Sequence, residues 1–207
     1  MNNVKNFLDQ IKIGDVLNKN FLQQFQDYFS DSLNVASICV DLEGTPITKP
    51  SNFSDFCMHY TRSSKEGLKR CMECDRIGGE RAAKTGKASI YKCHAGLVDF
   101  AAPIMVHGKQ IGSFLGGQVL TKSPDENHFR IIAKEINVDP DKYIEALHKI
   151  SIVPEDRIRT GANFLFFMCQ NIAELGFQGL LIKNVAQELN TRIENISSLQ
   201  KQSPLHQ

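Results

Sequence analysis

The chain has 207 residues, of which 42% are apolar, so it can hold one domain of ordinary size with a substantial core and an accessory helix. A formal charge of +1 at pH 7 argues against a dedicated nucleic-acid binder, which carries a basic face and a high pI. Neither a short apolar stretch after a basic start nor a run of eighteen apolar residues occurs; a secretory leader and a membrane span are therefore not expected, and the chain reads as cytoplasmic.

The first predicted element is an amphipathic helix over 20–33, where Phe21, Leu22, Phe25, Tyr28 and Phe29 recur at helical spacing. A compact β-branched run predicts a strand over 35–42. Gly44 and Pro46 punctuate it, and a short second strand is expected over 46–49. Ser63 and Glu66 form a capping box at the start of a helix that carries Leu68, Cys71 and Cys74. Gly78-Gly79 should weaken this helix, and Gly86 should close it.

Three strands are then expected over 88–94, 98–106 and 110–120, the last two joined by a tight hairpin at His107-Gly108-Lys109. Ser123 as N-cap with Pro124 behind it, and Asp139 with Pro140, begin two further helices. A last helix starts near Pro154 and reaches about 199. This order predicts an α+β fold: a PAS-like antiparallel five-stranded sheet flanked by helices, with a long C-terminal signalling helix. The expected organisation is an N-terminal helical segment over 1–34, a sensory domain over 35–178, and a coiled-coil helix with its tail over 179–207.

In that last segment Ile182, Val185, Leu189, Ile193, Ile196 and Leu199 recur at a mean spacing close to 3.5, the period of a two-stranded coiled-coil seam. Polar residues (Lys183, Gln187, Glu188, Arg192, Glu194) flank them. A parallel homodimer is the expectation. The plainer alternative is a helix that folds back on its own domain.

Four of the six cysteines, Cys57, Cys71, Cys74 and Cys93, fall close together in sequence with His94. Cys71 and Cys74 are three apart on one helix face, and Cys93 ends a strand. Four thiolate or imidazole donors from such elements suit tetrahedral zinc or another thiolate-bound metal, so Cys57, Cys71, Cys74 and Cys93 are candidate ligands. Reduced, partly buried thiols packing against apolar neighbours are the rival reading, and a redox pair is a third.

The glycines of Gly112-Ser-Phe-Leu-Gly116-Gly117-Gln118 do not make a phosphate loop, because no Gly-Lys-Ser/Thr follows. Within a strand they mark a bulge or the close approach of a ligand or backbone. Tyr91, His94, Phe114 and Gln118 are the candidate ligand-lining residues of a pocket between the sheet and its covering helices. No paired-carboxylate, nucleophile-elbow or metallohydrolase motif appears, and catalysis by this region is not expected.

The stretch 53–120 resembles the PocR sensory-domain family. The resemblance rests on Cys71-x-x-Cys74-Asp75, Tyr91-x-Cys93-His94-Ala95-Gly96-Leu97, Asp99-Phe100-Ala101-Ala102-Pro103-Ile104 and Ile111-Gly112-x-Phe114-Leu115-Gly116-Gly117-Gln118. With the flanking helices it covers roughly 10–175. It implies a PAS-like sensory input domain for a small organic molecule such as a diol or sugar. In this family that signal passes to a histidine kinase, a cyclase or a helix-turn-helix output, and no such output segment is recognisable in the sequence. Domains of this kind also occur in LytS-like sensor kinases of two-component systems that control sugar uptake. There a separate sugar-binding protein can be the primary receptor, which would make the domain a protein-interaction module. Neither version implies direct nucleic-acid or membrane contact.

Overall fold

The computed structural model describes residues 10–202. The start of the expected N-terminal segment (1–9) and the tail beyond 202 lie outside the described residues, as does the side chain of Leu199. In chain order the elements are α1 (Ile13–Val16), α2 (Lys19–Leu33), β1 (Ala36–Val40), a wide π-helical turn (Phe56–Thr61), α3 (Lys65–Thr85), β2 (Ser89–Lys92), β3 (Val98–Val106), β4 (Lys109–Val119), α4 (Glu126–Glu135), α5 (Pro140–Leu147) and α6 (Glu155–Gln202). The sheet is antiparallel in the order β1-β4-β3-β2.

The α+β class and the long last helix hold, but the sheet has four strands where five were expected. Residues 46–49 make no strand. Pro46 contributes only an isolated bridge to Val40, and Ser51 another to Ser37. Two prolines, Pro46 and Pro50, bracket this segment, and a proline has no N–H to donate to a ladder. Thr48 satisfies the buried edge of β1 with its side chain instead, its hydroxyl accepting from Cys39 N at 2.9 Å.

Alternation along the strands gives the sheet two apolar faces. Phe100, Ala102, Ile104 and Phe114 share one with Leu22 and Phe29 of α2 and with Ala162, Leu165 and Cys169 of α6. Ile38, Val40, Ala101 and Leu115 form the other, with Phe53 and Tyr91 packed against them. A side cluster joins Phe56 and Cys57 to α4 and α5 through Leu97, Phe129 and Tyr143. The helix of the N-terminal segment is thus built into the main core. Likewise α6 runs through 178–179 without a break.

Local signals hold with small shifts. Asp139 caps α5 with Pro140 first in the helix, and Gly86 ends α3 at φ 64°. His107 and Gly108, at φ 46° and 77°, form the two-residue turn between β3 and β4, the left-handed pair that suits the twist of a hairpin. Two N-caps move by one or two residues. Ser64, not Ser63, caps α3 by accepting from Gly67 N at 2.9 Å, while the Ser63 hydroxyl donates to Tyr60 O. Asp125, not Ser123, caps α4.

Gly78 and Gly79 do more than weaken a helix. A Cβ on Gly78 would stand 2.4 Å from the Tyr91 ring, and one on Gly79 would stand 2.2 Å from Ser113 Oγ. Their bare backbone lets α3 lie directly on the second face of the sheet.

Candidate functional site

Where α3 crosses that face, a cavity of about 240 Å³, part of it open to solvent, lies between helix and strands. Phe53, Ile38 and Leu115 give it apolar walls, and Arg62, Asp75, Asp99 and Gln118 give it polar ones. A water-sized sphere can occupy only about 20 Å³ of it, room for about one ordered water, so a larger guest would enter by moving side chains.

Each polar group is fixed by its element. Asp75 sits on the sheet-facing side of α3 and receives a hydrogen bond from Arg62 Nη2 at 2.8 Å. The Arg62 guanidinium also lies 5.3 Å from the Phe53 ring centroid, within cation–π reach. Asp99 follows an irregularity in the β3–β4 ladder: Val98 pairs with Val119, but Asp99 pairs with Gly117, leaving Gln118 unpaired as a bulge. Gln118 takes a left-handed φ of 60° there. Its backbone N–H donates to Asp99 Oδ1 at 2.7 Å, and its side-chain Oε1 accepts from Ser54 N and Oγ, each at 3.1 Å. Gly117 beside it has φ 141°, and a Cβ would come 2.5 Å from Asp99 Oδ1. The glycine pair therefore serves the bulge that the sequence suggested.

Burial raises the Asp99 carboxyl to about 7, with the nearby Asp75 charge adding to it, while the Gln118 N–H and the Cys93 thiol pull it down. Burial also raises Asp75 above its ordinary value, against the charge and hydrogen bond of Arg62. Burial opposes the charge on Arg62 too, but Asp75 outweighs it and keeps the guanidinium firmly protonated.

Of the four expected lining residues, only Gln118 lines this cavity. Tyr91 is the cross-strand neighbour of Asp99 and shares its face, with its ring over Gly78 and its buried hydroxyl without a hydrogen-bond partner. Phe114 is fully buried on the opposite face, packed edge-on against Phe25 at 5.2 Å between centroids, because alternation turns it toward α2. His94 stands outside the cavity, against Cys71. Arg62, Asp75 and Asp99 were not among the expected site residues; Asp75 and Asp99 lay within the motif, but Arg62 and Phe53 come from irregular segments with no periodic signal.

The thiols are brought together in part. Cys71 Sγ lies 3.2 Å from His94 Nε2, and Cys74 Sγ accepts from His94 N at 3.3 Å. Cys57 and Cys93 are near enough to Cys71 for its thiol to add to the burial that disfavours their ionisation. Among the described residues, no three His, Cys, Asp or Glu side chains are placed to hold one metal ion. The Cys71–His94 pair is uncharged at pH 7. Burial pushes the Cys71 thiol up to about 12, and burial together with the charges of Arg70 and Arg62 brings His94 down to about 4. A thiol–imidazole contact of this kind supplies no thiolate nucleophile.

A model of the family described as the sensory domain found in PocR matches residues 15–177. Regulatory protein PocR of Salmonella typhimurium (strain LT2) is 30% identical over 178 residues, which cover 83% of this chain and 56% of that protein. The chain thus spans little more than half of that relative's length. Sheet, cavity and bulge all lie within the matched stretch, and the chain belongs to the PocR sensory-domain family.

Proposed function

We propose that this domain senses a small polar organic molecule, a short diol or sugar, which enters the cavity between α3 and the sheet. The observation that carries this reading is the cavity wall itself: Arg62, Asp75, Asp99, Gln118 and Ser37 converge on one small space whose remaining wall is apolar side chains and glycine. Small-ligand sites likewise set placed polar groups among apolar walls, and here the polar share is high. Occupancy would be relayed through the sheet to α6 and onward to an output segment, a histidine kinase being our preferred setting. All six cysteines are free thiols, which supports a reducing, cytoplasmic compartment.

Titration calorimetry with short diols and pentoses tests the proposal. We expect heat from one of these alone, and its loss in Gln118→Ala and Asp99→Asn variants that remain folded. Heat appearing only when a separate sugar-binding protein is added would replace direct sensing with a protein-relay role. The metal or redox reading has the Cys71–His94 contact on its side, two donors where tetrahedral zinc takes four, and so ranks behind ligand sensing.

A further inference from the structure

The seam read from the sequence begins at Ile182, but the exposed apolar face of α6 begins much earlier, inside the sensory domain. Phe164, Phe167 and Leu175 continue it upstream, and from Phe164 to Ile196 its large apolar side chains are between 49% and 70% exposed. The opposite face of the same helix is occupied, with Ile158, Ala162, Leu165, Cys169, Ala173 and Phe177 buried against the sheet. We propose that this outer face seats a second copy of the chain, in a parallel, in-register helix pair that starts at Phe164 and reaches Ile196.

Spacing selects the occupant. Leu175, Ile182, Leu189 and Ile196 are each seven residues apart, the strict period of a two-helix seam. The alternate seam positions, also seven apart, hold Phe164, Asn171, Gln178, Val185 and Arg192. The amides at two of these positions favour a self-partner, and the charge of Arg192 at the last is met by Glu188 of its own helix. In a parallel, in-register pair each amide meets its own symmetry mate, whereas an antiparallel or unlike partner sets it against apolar side chains. Within one chain the Asn171 amide donates to Phe167 O at 2.7 Å and the Gln178 amide to Glu174 at 3.0 Å, so both have local partners until a mate arrives.

By length and composition α6 could also cross a bilayer. Its first half is held against the sheet, however, and the exposed Glu188–Arg192 ion pair lies in its second half, so a lipid surround fits neither half. The inner face of α6 lies one sheet-thickness from the cavity, with the pairing face on its far side. Asp99 faces the cavity, and the next residue, Phe100, faces Gly161 of α6 across the sheet.

Sedimentation of the full chain at tens of micromolar should give a dimer. Leu175→Asp and Ile182→Asp, each verified as folded by circular dichroism, should both shift it to monomer. Under mild oxidation Asn171→Cys and Arg192→Cys, twenty-one residues apart, should each form a disulfide-linked dimer that the unmodified chain does not. A monomeric chain, or one that floats with phosphatidylglycerol vesicles instead of dimerising, overturns the proposal. Cross-linking absent at both of those positions overturns the parallel register. A dimer that survives Leu175→Asp but not Ile182→Asp overturns the extension into the domain.

Discussion

Arg62 Nη2 donates to Asp75 Oδ2 at 2.8 Å, and neither side chain of this pair is more than 12% exposed. The pair joins an irregular segment to α3 at the mouth of the cavity, so it holds the site's geometry while two charges sit out of water. Such a pair is costly to break and nearly neutral to replace as a unit.

Arg62→Met alone should therefore destabilise the domain by about 3–5 kcal/mol, because it leaves Asp75 buried without its cation. The double variant Arg62→Met/Asp75→Leu should recover most of that loss. Urea unfolding of the two single variants and the double variant measures the coupling. A loss in the double variant equal to the sum of the two single losses would mean that the pair contributes nothing beyond packing.

The approach of α3 to the sheet depends on Gly78. An alanine there would drive its methyl into the Tyr91 ring, with 2.4 Å left to the nearest ring carbon. Gly78→Ala should cost about 1–3 kcal/mol as the helix is pushed off the strands. Gly179, with nothing within 4 Å of a built Cβ, is the contrasting position. Alanine at Gly179, in the interior of α6, should stabilise by about 0.5–1 kcal/mol. Thermal melts of the two variants should move in opposite directions.

The outcome at Phe114 and Gln118 explains which parts of the site were legible. The two residues are four apart in one strand, so simple alternation assigns them to the same face. The bulge at Gln118 adds a residue on one side of the ladder and breaks that parity, sending Gln118 to the cavity and Phe114 to the α2 side. Gly116-Gly117 announced a bulge but not its direction. Local chemistry was readable wherever one or two residues decide the outcome, as with Gly86, Asp139-Pro140 and the His107-Gly108 turn. The fifth strand failed because the apolar pattern over 46–49 outweighed, in the reading, two prolines that cannot complete a ladder. Arg62 and Phe53 reach the cavity only through long-range packing, which no spacing encodes.

Two buried groups should give the domain opposite responses to pH. Asp99 is raised from an ordinary 3.8 to about 7, chiefly by burial, so the folded state keeps a proton that the unfolded chain has released. Its contribution is fully present below 3.8 and is lost as pH rises to about 7. His94 is lowered from 6.5 to about 4, again chiefly by burial, so the unfolded chain takes a proton that the folded state refuses. That contribution is present above 6.5 and is lost as pH falls toward 4. Between about pH 4 and 6.5 the two slopes oppose each other and flatten the wild-type profile. Asp99→Asn keeps an Oδ1 acceptor for Gln118 N and removes the first slope, so its stability relative to wild type should climb with pH through this window and level off near 7. His94→Gln removes the second slope and should lose stability relative to wild type as pH rises from 4 to 6.5. Denaturant midpoints taken at half-unit intervals from pH 4 to 8 give both difference curves, in which all other titrating groups cancel. Flat difference curves for both variants would mean that neither group titrates across the fold in the direction its burial dictates.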